Sequence, residues 1–138
     1  MNQFEQFQAA LDLTKVSDTV FSFTPDSRYF VGNTPHGGYL LALMNKAMAQ
    51  VLPHPSAINS NVYYLDRTEP EPAELHVEVF RSSRGSSMGQ VKLIQNNNYN
   101  KIKVFVRSDP QIKDVKLEII KTDFNNLENH RDDIKGDD

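Results

Sequence analysis

Hydrophobic residues follow two rhythms in this chain, and the change falls near Ile58. Before it, Phe4, Phe7 and Leu11 lie within Gln3 to Leu13 at the spacing of one narrow face of a short amphipathic helix. Thr19 to Thr24 (TVFSFT) is rich in β-branched and aromatic residues and runs into Pro25-Asp26, which predicts a strand closed by a turn. Pro35 and Gly37-Gly38 then interrupt the chain, and Tyr39 to Leu52 is an unbroken run of strong helix formers stopped by Pro53 and Pro55. In that run Leu40, Leu41, Leu43, Met44, Ala47, Met48 and Val51 leave only Lys46, Gln50 and one side of Ala42 and Ala49 suited to water. A helix so apolar is predicted to be nearly buried.

After it the period becomes two. Ile58 to Leu65, Ala73 to Ser82, Gly89 to Gln95 and Lys101 to Arg107 each alternate. Leu75, Val77 and Val79, then Val91 and Leu93, then Ile102, Val104 and Val106 mark one common face. The links DRTEPEP, SSRGSS and NNNYN carry turn residues, so an antiparallel meander is the economical topology. Val115 to Ile120 offers one further strand. The predicted class is α+β: an antiparallel β-sheet wrapped around a central hydrophobic α-helix. Such a sheet keeps open edges, and pairing two of them edge to edge hides both, so a homodimer or higher homo-oligomer is expected.

Composition narrows the chemistry. The 138 residues suit one domain, here 1–120, and contain no Cys, which removes disulfides, thiolate nucleophiles and Cys-based metal sites. The net charge of -3 resides in the ending: Lys121 to Asp138 holds six acidic and three basic residues, leaving twelve of each before it. That acidic segment, 121–138, is poor in apolar residues and is expected to be disordered. A neutral body argues against nucleic acid and against an anionic membrane surface as partner. The uncharged stretch from Phe30 to Asn45 is broken by Gly and Pro, so no transmembrane helix is expected. The first residues lack a basic start and a continuous apolar run, so no secretory signal is read there and a cytoplasmic location is expected.

Candidate chemistry gathers at the start of the apolar helix. His36-Gly37-Gly38 would let a ligand approach the unpaired amides of the first turn, which attract a phosphate or the oxyanion formed when a carbonyl is attacked. Two adjacent glycines serve equally as a tight entry turn. Asn45 shares a stripe with Leu41, Met48 and Leu52, placing an amide on a face made for the core. A buried amide without partners costs roughly 1–3 kcal/mol, so it either bonds to a strand or faces a wet cavity. It can orient water or a carbonyl but cannot act as a base. Asn59, Ser60 and Asn61 begin the next strand, where they either line a pocket or merely tolerate a strand start. Arg84 with Ser86 and Ser87 forms either a contact for a phosphate-bearing tail or a solvated turn. His54, His76 and His130 show no metal-ligand spacing, so no metal and no cofactor is expected. A triad drawn from Ser86, Ser87, His36 and an aspartate lacks a nucleophile-elbow sequence.

The segments TPHGGYLLALMNKAM and NSNVYYLDRTEPEPAELHVEVFRSSRGSSMGQVKLIQ resemble the hotdog-fold acyl-CoA thioesterases, and within them the N-terminal hotdog repeat of the thioesterase II-like group. The resemblance spans roughly Val20 to Val106. It implies the hotdog fold and hydrolysis of a fatty or aromatic acyl-CoA thioester to free acid and CoA, in a cleft between two hotdog units. Related single-domain members carry a helical Asp or Glu after an HGG motif. Aligned on His36-Gly37-Gly38, that carboxylate falls on Asn45, so activity would need another acid such as Asp66 or be absent. By this resemblance Asn45, Gly38 and His36 are the expected catalytic residues, with the Gly38 amide polarising the thioester carbonyl and Asn45 positioning water. Gly37, Tyr39, Asn59, Asn61, Arg84, Ser86 and Ser87 are the expected substrate contacts. The alternative is a non-catalytic hotdog repeat that binds acyl-CoA or serves in assembly.

Overall fold

The computed structural model describes residues 2–54 and 57–108. The end of the 1–120 domain, the strand considered at Val115–Ile120 and the acidic segment 121–138 lie outside the described residues.

Helix α1 (Gln3–Ala10) starts from a capping box, in which the Asn2 side chain accepts from the Glu5 amide while the Glu5 carboxylate accepts from the Asn2 amide. It buries none of its residues, and Phe7 only leans on the core rim. Strands β1 (Thr14–Lys15) and β2 (Val20–Phe23) form a small hairpin, and β3 (Phe30–Val31) and β4 (Thr34–Pro35) form another. The second turns at Gly32, whose φ of 65° suits a residue without Cβ. Helix α2 (Gly37–Val51) follows, then strands β5 (Ala57–Tyr64), β6 (Ala73–Ser82), β7 (Ser87–Gln95) and β8 (Asn98–Ser108). The last hairpin needs only Asn96 and Asn97, both at positive φ, which lets β8 begin three residues earlier than the Asn-rich spacing predicts.

These strands make one antiparallel sheet in the order β1-β2-β6-β7-β8-β5, curled around α2. One expectation needs correcting. The four long strands are not a simple meander, because β5 pairs with β8 at the far edge and the chain crosses over to place β6 beside β2. The crossover, with its two prolines, is fixed by buried Gln95, whose amide donates to the Glu69 and Glu71 carbonyls and accepts from the Glu69 amide. Val79 keeps the register of the common apolar face, opposite Gly89, but is 40% exposed, and the sheet bulges just beyond it, between Val79 and Arg81.

The core is otherwise the one expected. Leu40, Leu43, Met44, Ala47 and Met48 of α2 pack on Phe21, Leu75, Val77, Val91, Leu93, Ile102, Val104 and Val106. A Cβ on Gly89 of β7 would stand 2.5 Å from the Glu78 carbonyl oxygen of neighbouring β6 and 3.3 Å from Met48 Cε of α2.

Candidate functional site

Edge strand β5 is paired on one side by β8 and on the other by no strand among the described residues. Its helix-facing residues meet α2 through two side-chain hydrogen bonds. The Tyr64 hydroxyl donates to the Gly37 carbonyl at 2.8 Å, and the Ser60 hydroxyl donates to Asn45 Oδ1 at 3.0 Å. The spacing is geometric. Eight helical residues from Gly37 to Asn45 rise about 12 Å, and four strand residues from Tyr64 to Ser60 span about 13 Å, so both bonds form along antiparallel elements. The result is a polar seam at the open edge of the sheet. Asn45 is half-buried in it and bonded to a strand side chain.

At the helix start His36 is the N-cap, and both glycines belong to the first turn. The His36 ring folds back so that Nδ1 accepts from the Gly38 amide at 3.0 Å, and a Cβ on Gly38 would meet that ring at 3.1 Å. The amide expected to face a ligand is therefore engaged by the cap. The Leu40 amide bonds the His36 carbonyl, whereas the Gly37 amide has no acceptor among the described residues. Gly37 also needs its missing side chain, since a Cβ would press on the Tyr64 ring and hydroxyl at 3.1 Å. Partial burial raises the Tyr64 phenol above its ordinary pKa, which keeps it a donor to the Gly37 carbonyl.

A cleft of about 520 Å³ opens here, walled by Pro35, Gly37, Leu40, Tyr64, Leu65 and Ile102, with Asp66, Arg67 and Thr68 at its polar side. Asp66 accepts from the Arg67 amide at 2.7 Å and from Asn98 Nδ2 at 2.9 Å, and lies 3.6 Å from Lys101 Nζ. The Arg67 amide first, and then the Lys101 charge, hold its carboxyl below the ordinary carboxylate range, so it is a fixed anion rather than a strong base. Lys101 Nζ also donates to the Arg67 carbonyl at 2.6 Å. Thr68 is buried, and its hydroxyl has no hydrogen-bond partner among the described residues.

The other expected contacts are dispersed. Tyr39 is buried, with its hydroxyl accepting from the Asp26 amide and donating to the Ala10 carbonyl while its ring stacks on Tyr29. These bonds tie it into the scaffold. Asn59 and Asn61 alternate away from α2 and bond each other at 2.7 Å beside a cavity on the outer face of the sheet. Arg84 and Ser86 lie in the β6–β7 turn. There His54 Nε2 meets the Arg84 carbonyl at 3.0 Å and Nδ1 bonds the hydroxyl of buried Ser87. The carbonyl can only accept, so Nε2 carries the proton and Nδ1 accepts from Ser87. This turn is tethered just beyond the C-terminal end of α2, a helix about 22 Å long, so one protomer does not bring it to Gly37.

Sequence reasoning thus brought Gly37 and Asn45 to one seam and left out Tyr64 and Thr68. An aromatic strand end facing a glycine was the only available signal for Tyr64; for Thr68 there was none. Among the described residues no cluster of His, Asp and Glu could hold a metal ion, and no helix is long and apolar enough to cross a membrane.

Residues 24–108 match the family described as acyl-CoA thioesterase N-terminal domain. Among solved structures, a candidate thioesterase II from Thermobifida fusca YX shares the fold with a TM-score of 0.71 and 20% identity over 75% of this chain and 38% of its own. A tesB protein from Mycobacterium avium subs paratuberculosis gives 0.68 and 18% identity over 78% of this chain and 43% of its own. A hypothetical thioesterase with coenzyme A from Streptococcus pneumoniae TIGR4 gives 0.62 and 16% identity over 77% and 94%. The chain therefore spans less than half of the first two structures and nearly all of the third. No curated protein matches the chain. The match covers well over half of the sequence, and the chain belongs to the acyl-CoA thioesterase N-terminal domain family, with the hotdog fold.

Proposed function

We propose, with membership of this family as the premise, that the chain hydrolyses a fatty or aromatic acyl-CoA thioester in the cytoplasm, at the seam between α2 and β5. The observation that carries this reading is the cleft at the start of α2, where a first-turn amide without an acceptor lies beside a polar seam on an open sheet edge. The thioester carbonyl takes a hydrogen bond from that turn as negative charge develops on its oxygen, helped by the positive end of the helix dipole. Because the Gly38 amide is held by His36, the Gly37 amide is the better-placed donor. Asn45 stands about 12 Å along α2 from that amide, so the Asn45 that positions the attacking water, its Oδ1 fixed by Ser60, is that of a second copy facing this cleft. The acyl group runs along Leu40, Tyr64, Leu65 and Ile102. A second copy pairs along β5 and closes the cleft, and because Asn45 cannot act as a base and Asp66 is poorly tuned to be one, turnover is expected to be slow.

The occupation of position 45 by an amide favours a second reading, a repeat that binds acyl-CoA without turning it over. One experiment separates the two. Purified protein is incubated with acyl-CoAs of graded chain length and a thiol-trapping dye. Steady thiol release that falls about 10²-fold in Asn45→Ala supports hydrolysis at this seam. Saturable binding without thiol release selects the binding repeat, and release unaffected by Asn45→Ala removes the seam from the mechanism.

A further inference from the structure

The apolar wall of the cleft at the start of α2 is short. Pro35, Leu40, Leu65 and Ile102 give way to Asp66, Arg67 and Thr68 within the same space of about 520 Å³. An alkyl chain that followed the wall to its end would strip water from charged and hydroxylic groups and return no hydrogen bond to them. An acyl group that fills the cleft therefore needs polar atoms at that end, and the bonds already made there decide which kind.

The acid at this end is already satisfied. The Asp66 carboxylate accepts from the Arg67 amide and from Asn98 Nδ2 and lies 3.6 Å from Lys101 Nζ, which also donates to the Arg67 carbonyl. Donors are left over. The Arg67 guanidinium is exposed and has no carboxylate or carbonyl partner among the described residues. Thr68 is 2% exposed, and its hydroxyl has no partner among them either. A lone arginine in water costs nothing, whereas a buried hydroxyl without a bond is costly, so the threonine is the more telling of the two. Thr68 borders the cleft, and turning its hydroxyl by one staggered well toward a bound acceptor supplies the missing bond.

Charge points the same way. Asp66 and Lys101 offset each other, which leaves the Arg67 guanidinium uncompensated among the residues that border the cleft. Glu69, two residues on, has its backbone held by Gln95 and does not border the cleft. A guanidinium offers a planar fork of N–H groups that matches the two oxygens of a carboxylate, while a neutral hydroxyl or keto oxygen would use only part of it.

We propose that the cleft selects acyl groups ending in a carboxylate, the CoA monothioesters of dicarboxylic acids, with Arg67 pairing that carboxylate and Thr68 donating to it. The inference rests on the thioesterase reading and narrows its substrate. Arg67 and Thr68 set specificity at the far end of the acyl group and take no part in breaking the thioester bond.

The test uses acyl-CoAs in pairs that share a chain length and differ in a terminal methyl or carboxylate: pentanoyl with glutaryl, and heptanoyl with pimeloyl. Thiol release and calorimetric binding are measured for each. In at least one pair kcat/KM should favour the carboxylate about tenfold or more, chiefly through KM. Arg67→Gln and Thr68→Val should each bring that ratio toward one, and Arg67→Lys should keep part of it. Thr68→Val should also raise the urea midpoint of the free protein, because it removes a buried hydroxyl that has no partner. A wild type without preference in either pair, a preference for the methyl ester, or a preference that survives both Arg67→Gln and Thr68→Val would overturn the proposal. The thioesterase reading fails on a different result, no thiol release from any ester. Binding then decides the selection alone: tighter binding of the carboxylate ester, lost in Arg67→Gln, supports it, and equal binding of the two esters overturns it.

Discussion

The two long sides of α2 follow different rules. Toward β6, β7 and β8 the helix presents Leu43, Met44, Ala47 and Met48, all essentially inaccessible, to a floor of Val, Leu and Ile with no polar side chain between them. Toward β5 it presents the Gly37 carbonyl and the Asn45 amide, each bonded to a hydroxyl on a strand whose residues are mostly exposed. The first side holds the fold and the second is available for chemistry. Because the two lie on one rigid rod, stability and activity should be separable by substitutions only a turn or two apart.

The largest effect is expected from the dry side. Leu43→Ala deletes a fully buried side chain at the centre of the core and should cost about 2–5 kcal/mol, read as a lower urea midpoint with unchanged slope. Next is Gly89→Ala. Its new Cβ would stand 2.5 Å from a backbone oxygen in the neighbouring strand, so either that strand or α2 must move, at a cost of about 1–3 kcal/mol. An unchanged midpoint for Gly89→Ala would mean that β6 and α2 do not close on Gly89 this tightly.

The same contrast explains what could be read from the sequence. Apolar periodicity reports burial, so it gave the dry side almost residue by residue: Leu43, Met44, Met48, Leu75, Val91 and Val104 all fall where alternation or helical spacing puts them. It placed Val79 on the right face without showing that it is 40% exposed there, and it failed at the position of β5. Strand order depends on where a link travels, and the crossover is fixed by one buried side chain, Gln95, whose three bonds leave no trace in spacing. The seam was half legible. An amide on an apolar stripe marked Asn45, and a Gly pair marked the helix start. Which amide His36 would take, and that Tyr64 would lie against Gly37, depend on side-chain reach across elements separated in the chain. Tyr39, Asn61 and Ser87, expected together as substrate contacts, lie apart in one protomer, each held by its own local hydrogen bond.

On the wet side the comparison predicts a small stability effect and a large functional one. Ser60→Ala removes a half-exposed hydrogen bond and should cost about 1 kcal/mol or less, while freeing the Asn45 side chain to rotate. Thiol release from acyl-CoA should then fall about tenfold or more. Equal losses of stability and turnover would erase the distinction between the two sides.

The smallest effect belongs to Asp66, at the cleft but half in water. Its carboxyl is held below the ordinary value of 3.8, chiefly by the Arg67 amide and then by Lys101, so the folded chain releases this proton more readily than the unfolded one. That sign fixes the pH window. The contribution is complete above the ordinary value and fades as pH falls through the lower folded value. Asp66→Asn should therefore be slightly less stable than the wild type near neutrality, with the gap closing below 3.8. Added salt should narrow the gap, since the Lys101 contact is partly exposed. Urea midpoints of both proteins measured down into that range read the effect directly. A gap that widens toward acid would show that the carboxylate is strained at the cleft and not stabilised there, and would return Asp66 to consideration as the missing base.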